Sequence, residues 1–183
     1  MGQYFIAINS DTMEWVSPYD FDNGAKLMEH SYLNNNFVEA VEFLLLDDGA
    51  DKSRWAGQRI VWAGDYADDE GYTTRNLFDL SQEKNALTML IEAIPPNYHY
   101  LVNWDRQEFV DKTKCKPING NWNTDKMRVH PLPLLTAEGN GRGGGDYHGD
   151  NIELVGTWAR DRISVMKEPP IGFTEIIPNF DKD

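Results

Sequence analysis

The chain has 183 residues, of which 40% are hydrophobic and 26% are charged, ordinary values for a globular protein that argue against wholesale disorder and a membrane span. Seventeen Lys and Arg residues oppose thirty Asp and Glu residues, and the net charge of -13 repels the phosphate backbone of DNA or RNA. We therefore expect one domain over residues 1–183, with no membrane partner and no direct nucleic-acid binding.

The single cysteine and the N-terminus predict a cytoplasmic protein. Cys115 has no second cysteine with which to form an intrachain disulfide, so a reducing compartment is expected. The N-terminal sequence has neither the basic start nor the long apolar run of a signal peptide. Three lysines near Cys115 would lower the pKa of its thiol, but no partner histidine can be assigned, so it is not predicted to be a nucleophile.

The first third of the chain predicts a hairpin, two helices and a strand. Stretches rich in β-forming residues flank a turn at Asn9–Asp11, which predicts a hairpin over residues 4–16. From 25 to 46 apolar residues recur at helical spacing, and the asparagine run at 34–36 can end one helix and cap the next. A short apolar run at 59–63 predicts a buried strand.

The remaining elements predict an α+β fold. Ser81 is the expected N-cap of a helix that ends at Pro95, and residues 98–111 predict a second hairpin. Strands are expected at 127–136 and 152–165, followed by an irregular tail after Pro169. Because most connections are too short for parallel crossovers, we expect a largely antiparallel sheet with two helical segments packed on one face.

One spaced pattern occurs twice. Asn-x-Asp-x-x-Glu-aromatic-Val occupies residues 9–16 and again residues 103–110, each time after an aliphatic strand. A weaker echo places Gly-Asp-Tyr at 64–66 and at 145–147. A decayed internal duplication explains both, and so does convergence, since Asn and Asp favour such turns through local hydrogen bonds. Both explanations remain open.

A glycine-rich segment is the strongest pointer to a site. Six of the thirteen residues from Glu138 to Asp150 are glycine, which implies tight turns or close approach of the backbone to a bound molecule. Residues 139–144 match the spacing Gly-x-Gly-x-x-Gly. No helix is predicted directly after them to present its amides to a pyrophosphate, so a dinucleotide site is not expected.

The predicted strand at 152–165 suggests an anion-binding face. Strict alternation places Trp158, Arg160 and Arg162 on one side, where the guanidinium groups could hold a phosphate or carboxylate and the indole could stack on a ring. The alternative is that these arginines pair with carboxylates on a solvated face. The predicted ligand-binding residues are Arg142, Gly143, Gly144, Tyr147, Trp158, Arg160 and Arg162.

Acid–base and metal candidates lie at the end of the glycine-rich segment. Asp146 and His148 are the acid and base candidates, and Glu138 is a weaker one. Asp150 could share a metal ion with Asp65 and Asp68 if the two Gly-Asp-Tyr turns faced each other. The alternative is a pair of solvated acidic turns. The sequence leaves the cofactor, and whether any turnover occurs, unassigned.

Several stretches together resemble a group of uncharacterised bacterial and phage proteins. They are residues 1–4 (Met-Gly-Gln-Tyr), residues 26–32 (Lys-Leu-Met-Glu-His-Ser-Tyr), residues 61–68 (Val-Trp-Ala-Gly-Asp-Tyr-Ala-Asp) and the stretch from His130 through the glycines to Arg162. The resemblance covers nearly the whole chain. It implies a self-contained cytoplasmic protein of phage or mobile-element origin, and it transfers no catalytic residue.

Two functions are expected from the sequence. The first is binding of a small anionic ligand, such as a nucleotide or its derivative, with hydrolysis left open. The alternative is an acidic interaction or inhibitor protein that occupies a basic surface on a partner protein without catalysis.

Overall fold

The structure is a computed structural model that describes residues 3–84, 86–88, 94–116, 128–140 and 147–180. Within these residues nine strands join into one sheet. The strands are β1 (Phe5–Asn9), β2 (Glu14–Val16), β3 (Leu46–Asp47), β4 (Gln58–Gly64), β5 (Tyr100–Asn103), β6 (Glu108–Asp111), β7 (Ala137–Glu138), β8 (Asp161–Met166) and β9 (Thr174–Glu175).

The sheet is mostly antiparallel. Neighbouring strands follow the order β2-β1-β4-β8-β5-β6-β9, with β7 added beside β4 and β3 beside β8. Only three pairings in this described sheet are parallel, those of β3 with β8, β4 with β7 and β6 with β9. The predicted α+β class with a largely antiparallel sheet is confirmed.

Short helices accompany the sheet. The α-helices of the described residues are α1 (Leu27–His30), α2 (Asn36–Leu44), α3 (Leu77–Ser81) and α4 (Pro131–Leu135). Single 3₁₀ turns occur at Pro18–Phe21, Lys112–Lys114 and Ile152–Leu154. None of the helices in these ranges has the length and apolar character needed to cross a membrane.

Both faces of the sheet are covered. Successive residues of β1 point to opposite faces: Phe5 and Ala7 join the main core with α1, α2 and α4, whereas Ile6 and Ile8 join a smaller cluster with Leu77 of α3. The first predicted helical segment, residues 25–46, forms α1 and α2 and packs on one face, whereas α3, which ends at the predicted start of the second segment, lies on the opposite face.

The first predicted elements are confirmed, and local side-chain hydrogen bonds explain them. The residue 4–16 hairpin forms as β1 and β2, and the residue 59–63 strand lies within β4. The helical region breaks at the asparagine run as expected. Asn35 caps α2 because its side-chain oxygen accepts the backbone N–H of Phe37 at 3.0 Å and of Val38 at 3.3 Å.

The helix predicted between Ser81 and Pro95 is wrong at its start. Asn76, not Ser81, is the N-cap of α3, and its side chain accepts the backbone N–H of Asp79 at 2.9 Å. Ser81 is instead the last residue of α3. Beyond it, Leu87 donates its backbone N–H to Trp15 of β2 at 2.8 Å, so this part of the predicted helix is extended. Residues 85 and 89–93 of the prediction lie outside the described residues.

Two predicted strands are also wrong. Within 127–136 the chain forms helix α4, because His130 accepts the backbone N–H of Leu132 at 3.1 Å and Pro131 occupies the first helical position. Within 152–165 only the last five residues are strand. Left-handed backbone at Gly156 (φ 74°) and Arg160 (φ 65°) folds the preceding residues into turns. The tail after Pro169 contains β9.

The two hairpins that share the spaced pattern have the same register. Asn9 pairs with Glu14 in the first hairpin, and Asn103 pairs with Glu108 in the second. Each asparagine is fully buried. The Asn9 side-chain oxygen accepts two turn N–H groups at 3.0 and 3.3 Å, and that of Asn103 accepts two at 3.0 and 2.9 Å.

A buried tryptophan precedes each long strand and binds the neighbouring hairpin. Trp55 precedes β4, and its indole N–H donates to Glu14 at 2.9 Å. Trp158 precedes β8, and its indole N–H donates to Glu108 at 2.8 Å. Both indoles are fully buried, so the two tryptophans tie the long strands to their hairpins in the same way.

The pairing of β4 with β8 is centred on two arginines. Arg59 lies opposite Arg162. The backbone N–H and the guanidinium of Arg59 both donate to Asp11 at 2.9 Å. Arg162 binds Asp105 in the same way, at 2.7 and 2.8 Å. A twofold rotation that exchanged the two strands would therefore exchange these contacts as well.

The part of the chain that contains β1–β4 is called the first half here, and the part that contains β5–β9 the second half. Each half places a short strand beside the long strand of the other. From the first half, β3 runs beside β8, and from the second half, β7 runs beside β4. These matching contacts are what a decayed duplication would leave, and that duplication remains a prediction. The weaker echo, Gly-Asp-Tyr at 64–66 and 145–147, does not fit this relation between the strands. Gly64 is the last residue of β4, but the residue that follows the end of β8 is Lys167, not Gly145.

Candidate functional site

A cleft of about 610 Å³ lies beside β7, where the glycine-rich segment begins. Its walls come from Glu138 and Gly139, from the turns before β8 and from Asp161 at the start of β8. Ligand pockets typically enclose about 300–1,000 Å³. The cleft therefore has the size to receive a small molecule or the side chains of a partner protein.

One glycine allows the turn that forms a cleft wall. Gly156 has a φ of 74°, and its backbone N–H donates to the carbonyl of Leu134 at 2.8 Å. A Cβ atom at this position would lie 2.6 Å from the carbonyl oxygen of Ala137 in β7. The close approach of this turn to β7 therefore requires glycine.

Arg160 joins two segments at the edge of the cleft. Its guanidinium donates to Glu138 at 2.7 and 2.5 Å, and to Glu70 at 3.0 Å with a second, shorter contact to the same carboxylate. The hydrogen bonds that Arg160 donates to Glu70 and Glu138 raise its pKa. The matching residue in the first half is Gly57, whose φ of 71° resembles the 65° of Arg160. The second half thus places an arginine in a conformation that favours glycine.

The charge of the described cleft wall is negative. Four carboxylates line it, those of Asp68, Glu138, Glu153 and Asp161, against one guanidinium, that of Arg106. Arg106 is itself paired, because its Nε atom lies 3.2 Å from the carboxylate of Asp161. The wall therefore favours a cation over an anion.

The expected anion-binding face of Trp158, Arg160 and Arg162 is not formed as predicted. Trp158 and Arg160 lie outside the strand, and the fully buried Trp158 ring has no surface on which a ligand could stack. Arg162 is exposed, but its guanidinium binds Asp105, which raises the pKa of Arg162. The alternative reading, in which the arginines pair with carboxylates, describes both Arg160 and Arg162.

The glycine-rich segment itself is described only at its two ends. Arg142, Gly143, Gly144 and Asp146 lie outside the described residues. Tyr147 is only 2% exposed. Its ring packs edge-on against Phe180 with ring centres 5.5 Å apart, and its hydroxyl donates to the Asp150 carbonyl. His148 is exposed. Glu138 faces the cleft, but Arg160 occupies its carboxylate.

The predicted metal site is not assembled. Asp65 accepts the backbone N–H of Tyr4 at 3.0 Å, Asp68 lines the cleft, and Asp150 is exposed. Across the described ranges no three histidine, cysteine, aspartate or glutamate side chains are grouped closely enough to hold a metal ion. Asp65, Asp68 and Asp150 therefore do not form a common metal site in this structure.

Cys115 is not activated by its lysine neighbours. The thiol is buried, and this burial raises its pKa to about 11, outweighing the opposing effect of Lys112. The thiol is therefore protonated at neutral pH, the opposite of what the surrounding lysines suggested.

A second group of polar side chains lies away from the cleft. Glu42 of α2 is 2% exposed, and its carboxylate accepts a hydrogen bond from Lys112 at 2.5 Å. The Nε2 atom of His130 lies 3.2 Å from the same carboxylate oxygen. Burial raises the pKa of Glu42, but the neighbouring ammonium group of Lys112, with a smaller contribution from the His130 ring, holds the pKa below its usual range. The ion pair of Glu42 with Lys112 joins α2 to the segment that follows the second hairpin.

His130 is neutral in this environment. Burial lowers its pKa, and the neighbouring carboxylate of Glu42 opposes this effect without reversing it. Its Nδ1 atom accepts the backbone N–H of Leu132, so the proton of the neutral ring is on Nε2. This N–H faces the Glu42 carboxylate, whose oxygen lies 3.2 Å from Nε2.

Comparison with known proteins identifies no relative of this chain. No family model, no curated protein and no solved structure matches the chain. The resemblance to bacterial and phage proteins therefore stays a prediction, and the candidate sites depend on the geometry of this chain alone.

Some site residues had a detectable sequence signal. Trp-Ala-x-x-Arg-Ile occurs at 55–60 and again at 158–163, which marks Trp158 and Arg162 as counterparts of Trp55 and Arg59. Glu42 falls within the apolar stripe of its helix, four residues after Val38, which signals a buried acid in need of a partner. Arg106 and Glu153 in the cleft wall, and Glu70 beside it, carry no comparable signal.

Proposed function

We propose that the protein is an acidic interaction protein whose cleft receives cationic side chains from a basic surface of a partner protein. The observation that carries this proposal is the charge of the described cleft wall, where the carboxylates of Asp68, Glu138, Glu153 and Asp161 outnumber the guanidinium of Arg106 and that of Arg160 at the cleft edge. The net charge of -13 adds a long-range attraction for such a partner.

The state of the arginines favours this function over anion binding. Arg160 and Arg162 are held by carboxylates, and releasing either guanidinium for a phosphate would leave those carboxylates unpaired beside it. A cationic group entering the cleft breaks no such pair. It gains from Glu153, which is exposed and makes no ion pair within the described residues.

A hexa-arginine peptide labelled with a fluorophore provides a direct test by fluorescence anisotropy. We expect saturable binding that weakens as salt concentration rises, because exposed charges are screened. Glu153→Gln should weaken binding by about threefold, as expected for one exposed ion pair. The matched control is Glu168→Gln, which removes an exposed carboxylate at the far end of β8 and should leave the affinity unchanged. Equal losses in both variants would indicate attraction by net charge alone and would refute a role for the cleft.

A small anionic ligand, such as a nucleotide, is the second candidate. The volume of about 610 Å³ and the position beside Gly139 favour it. A ligand that binds only the folded state raises the unfolding temperature, so a thermal-shift panel of nucleotides with and without Mg²⁺ tests this candidate. Stabilisation by a nucleotide, together with no peptide binding, would replace the first proposal with the second.

A further inference from the structure

Exposed aromatic side chains are concentrated beside the acidic cleft. Seven large apolar side chains are exposed within the described residues, and four of them belong to segments that form or border the cleft. These four are Tyr4, Tyr66, Tyr72 and Ile152. A single exposed apolar residue is ordinary on a protein surface, whereas a group of aromatic residues around a cavity is typical of an interaction site.

Hydrogen bonds place Tyr4 and Tyr66 beside each other and beside the cleft. The backbone carbonyl of Tyr4 accepts the N–H of Asp65 at 2.9 Å, and the N–H of Tyr4 donates to the Asp65 side chain at 3.0 Å. Tyr66 is the next residue. Gln3, which precedes Tyr4, accepts the backbone N–H of Asn140 where the chain leaves the cleft wall. Both tyrosine side chains are 47% exposed and therefore open to a partner.

Tyr72 lies on a turn that is tied to the edge of the cleft. The turn begins at Glu70, whose carbonyl accepts the backbone N–H of Thr73 at 2.9 Å. Arg160 at the cleft edge binds the Glu70 carboxylate. Asp68, two residues before Glu70, lines the cleft, and Tyr72, two residues after it, is 79% exposed. The tyrosines therefore border the cleft on the side of Asp68.

The edge of the cleft already shows how a guanidinium group is held there. Arg160 contacts two carboxylates at once, those of Glu70 and Glu138. The planar fork of a guanidinium matches carboxylates in this way, whereas the ammonium group of lysine acts as a point charge. Glu153 in the cleft wall is exposed and makes no ion pair within the described residues, so it is available to a second guanidinium.

The exposed tyrosine rings favour the same cation. A guanidinium group is weakly hydrated and stacks flat on an aromatic ring, whereas an ammonium group holds its water more strongly. An anionic partner would be repelled by the cleft carboxylates and by the net charge of -13. The charge of the surface thus selects a cationic partner, and the tyrosine rings select arginine over lysine.

We propose that the acidic cleft and the neighbouring Tyr4, Tyr66 and Tyr72 form one docking surface for an arginine-rich segment of a partner protein. One arginine of the segment binds Glu153 in the cleft, and adjacent arginines stack on the tyrosine rings. Binding involves no covalent step. This inference rests on the proposed function, since it requires that the cleft receives cationic side chains, and it adds the selection of arginine over lysine.

Two labelled peptides of equal length and charge test this selection on the unaltered full chain. Fluorescence anisotropy at one salt concentration should show hexa-arginine binding about fivefold more tightly than hexa-lysine. Equal affinities that both fall in Glu153→Gln would refute the selection of arginine and leave the proposed function intact. The absence of saturable binding by either peptide would refute both proposals.

Tyr66→Leu tests the ring contact, because leucine keeps an apolar side chain but has no aromatic face. It should weaken hexa-arginine binding by about threefold and hexa-lysine binding by less. Tyr19→Leu is the matched control: Tyr19 is 63% exposed on the 3₁₀ turn Pro18–Phe21, outside the described cleft wall, and its loss should leave both affinities unchanged.

Urea unfolding of each variant checks that it is folded, and Tyr72→Leu repeats the ring test at a more exposed position. It should also weaken hexa-arginine binding more than hexa-lysine binding. Unchanged hexa-arginine affinity in both Tyr66→Leu and Tyr72→Leu, or an equal loss in Tyr19→Leu, would refute the role of the rings.

Discussion

The left-handed backbone at Arg160 leads to an unusual order of stability. At most positions glycine is less stable than alanine, because it loses more conformational entropy on folding. Arg160 has a φ of 65°, however, and a residue with a Cβ atom loses about 1 kcal/mol in this region relative to glycine. We therefore expect Arg160→Gly to be about 1 kcal/mol more stable than Arg160→Ala.

Both variants should be less stable than the wild type. Breaking a buried ion pair costs about 3–5 kcal/mol and an exposed pair costs at most about 1 kcal/mol. The Arg160 side chain is 36% exposed, and its partners Glu70 and Glu138 are 12% and 26% exposed. A loss of about 2–3 kcal/mol for Arg160→Ala follows from this intermediate burial.

Urea unfolding at neutral pH, followed by tryptophan fluorescence, measures these differences. Gly57→Ala is the matched control, since Gly57 has a φ of 71° and an added Cβ would meet no atom closer than 4.0 Å. It should lose about 1 kcal/mol through the backbone alone. If Arg160→Gly proves no more stable than Arg160→Ala, the backbone explanation is wrong. If Arg160→Ala matches the wild type, the ion pairs contribute nothing.

Three further changes have defined outcomes. Gly156→Ala should destabilise the fold by about 2–4 kcal/mol because its Cβ would lie 2.6 Å from a carbonyl oxygen of β7. Gly71→Ala is the control: its Cβ would have no atom within 4 Å, so it should leave the free energy of unfolding unchanged in the same urea assay. Asn9→Ala and Asn103→Ala should each cost about 2 kcal/mol, because each buried side chain accepts two turn N–H groups. The two losses should agree within about 1 kcal/mol, and a larger difference would contradict the equivalence of the two turns. Burial lowers the pKa of His130, so the unfolded chain binds a proton at this histidine before the folded chain does. The free energy of unfolding should therefore fall as the pH drops through about 6.5. His130→Asn retains an N-cap acceptor for α4 and should lose less stability than the wild type between about pH 7.5 and 5.5.

Local signals explain which parts of the fold could be predicted. The hairpin turns at Asn9 and Asn103 and the start of α2 at Asn35 depend on side chains that bond to backbone two or three residues away, so the sequence nearby is sufficient. The prediction of a strand over 152–165 failed because the alternation of side chains between two faces cannot reveal a residue with left-handed backbone such as Arg160. Its conformation becomes expected only when Gly57 is recognised as its counterpart.

The candidate sites depend on contacts between distant parts of the chain. Lys112 is 70 residues from Glu42, and Arg160 is 90 residues from Glu70. The periodicity of apolar residues in a short stretch of sequence does not predict such long-range pairs. The predicted ligand face could not anticipate that Arg160 and Arg162 would each meet carboxylates brought by other segments, which reversed the charge expected near the glycine-rich segment.

The reciprocal placement of β3 and β7 has a consequence for how the molecule comes apart. Since β3 borders a strand of the opposite half and β7 does the same in return, neither half can melt without uncovering backbone hydrogen-bonding groups in the other. The halves are interleaved rather than stacked side by side. We therefore expect denaturation to proceed as one concerted event, with no stage at which one half persists alone.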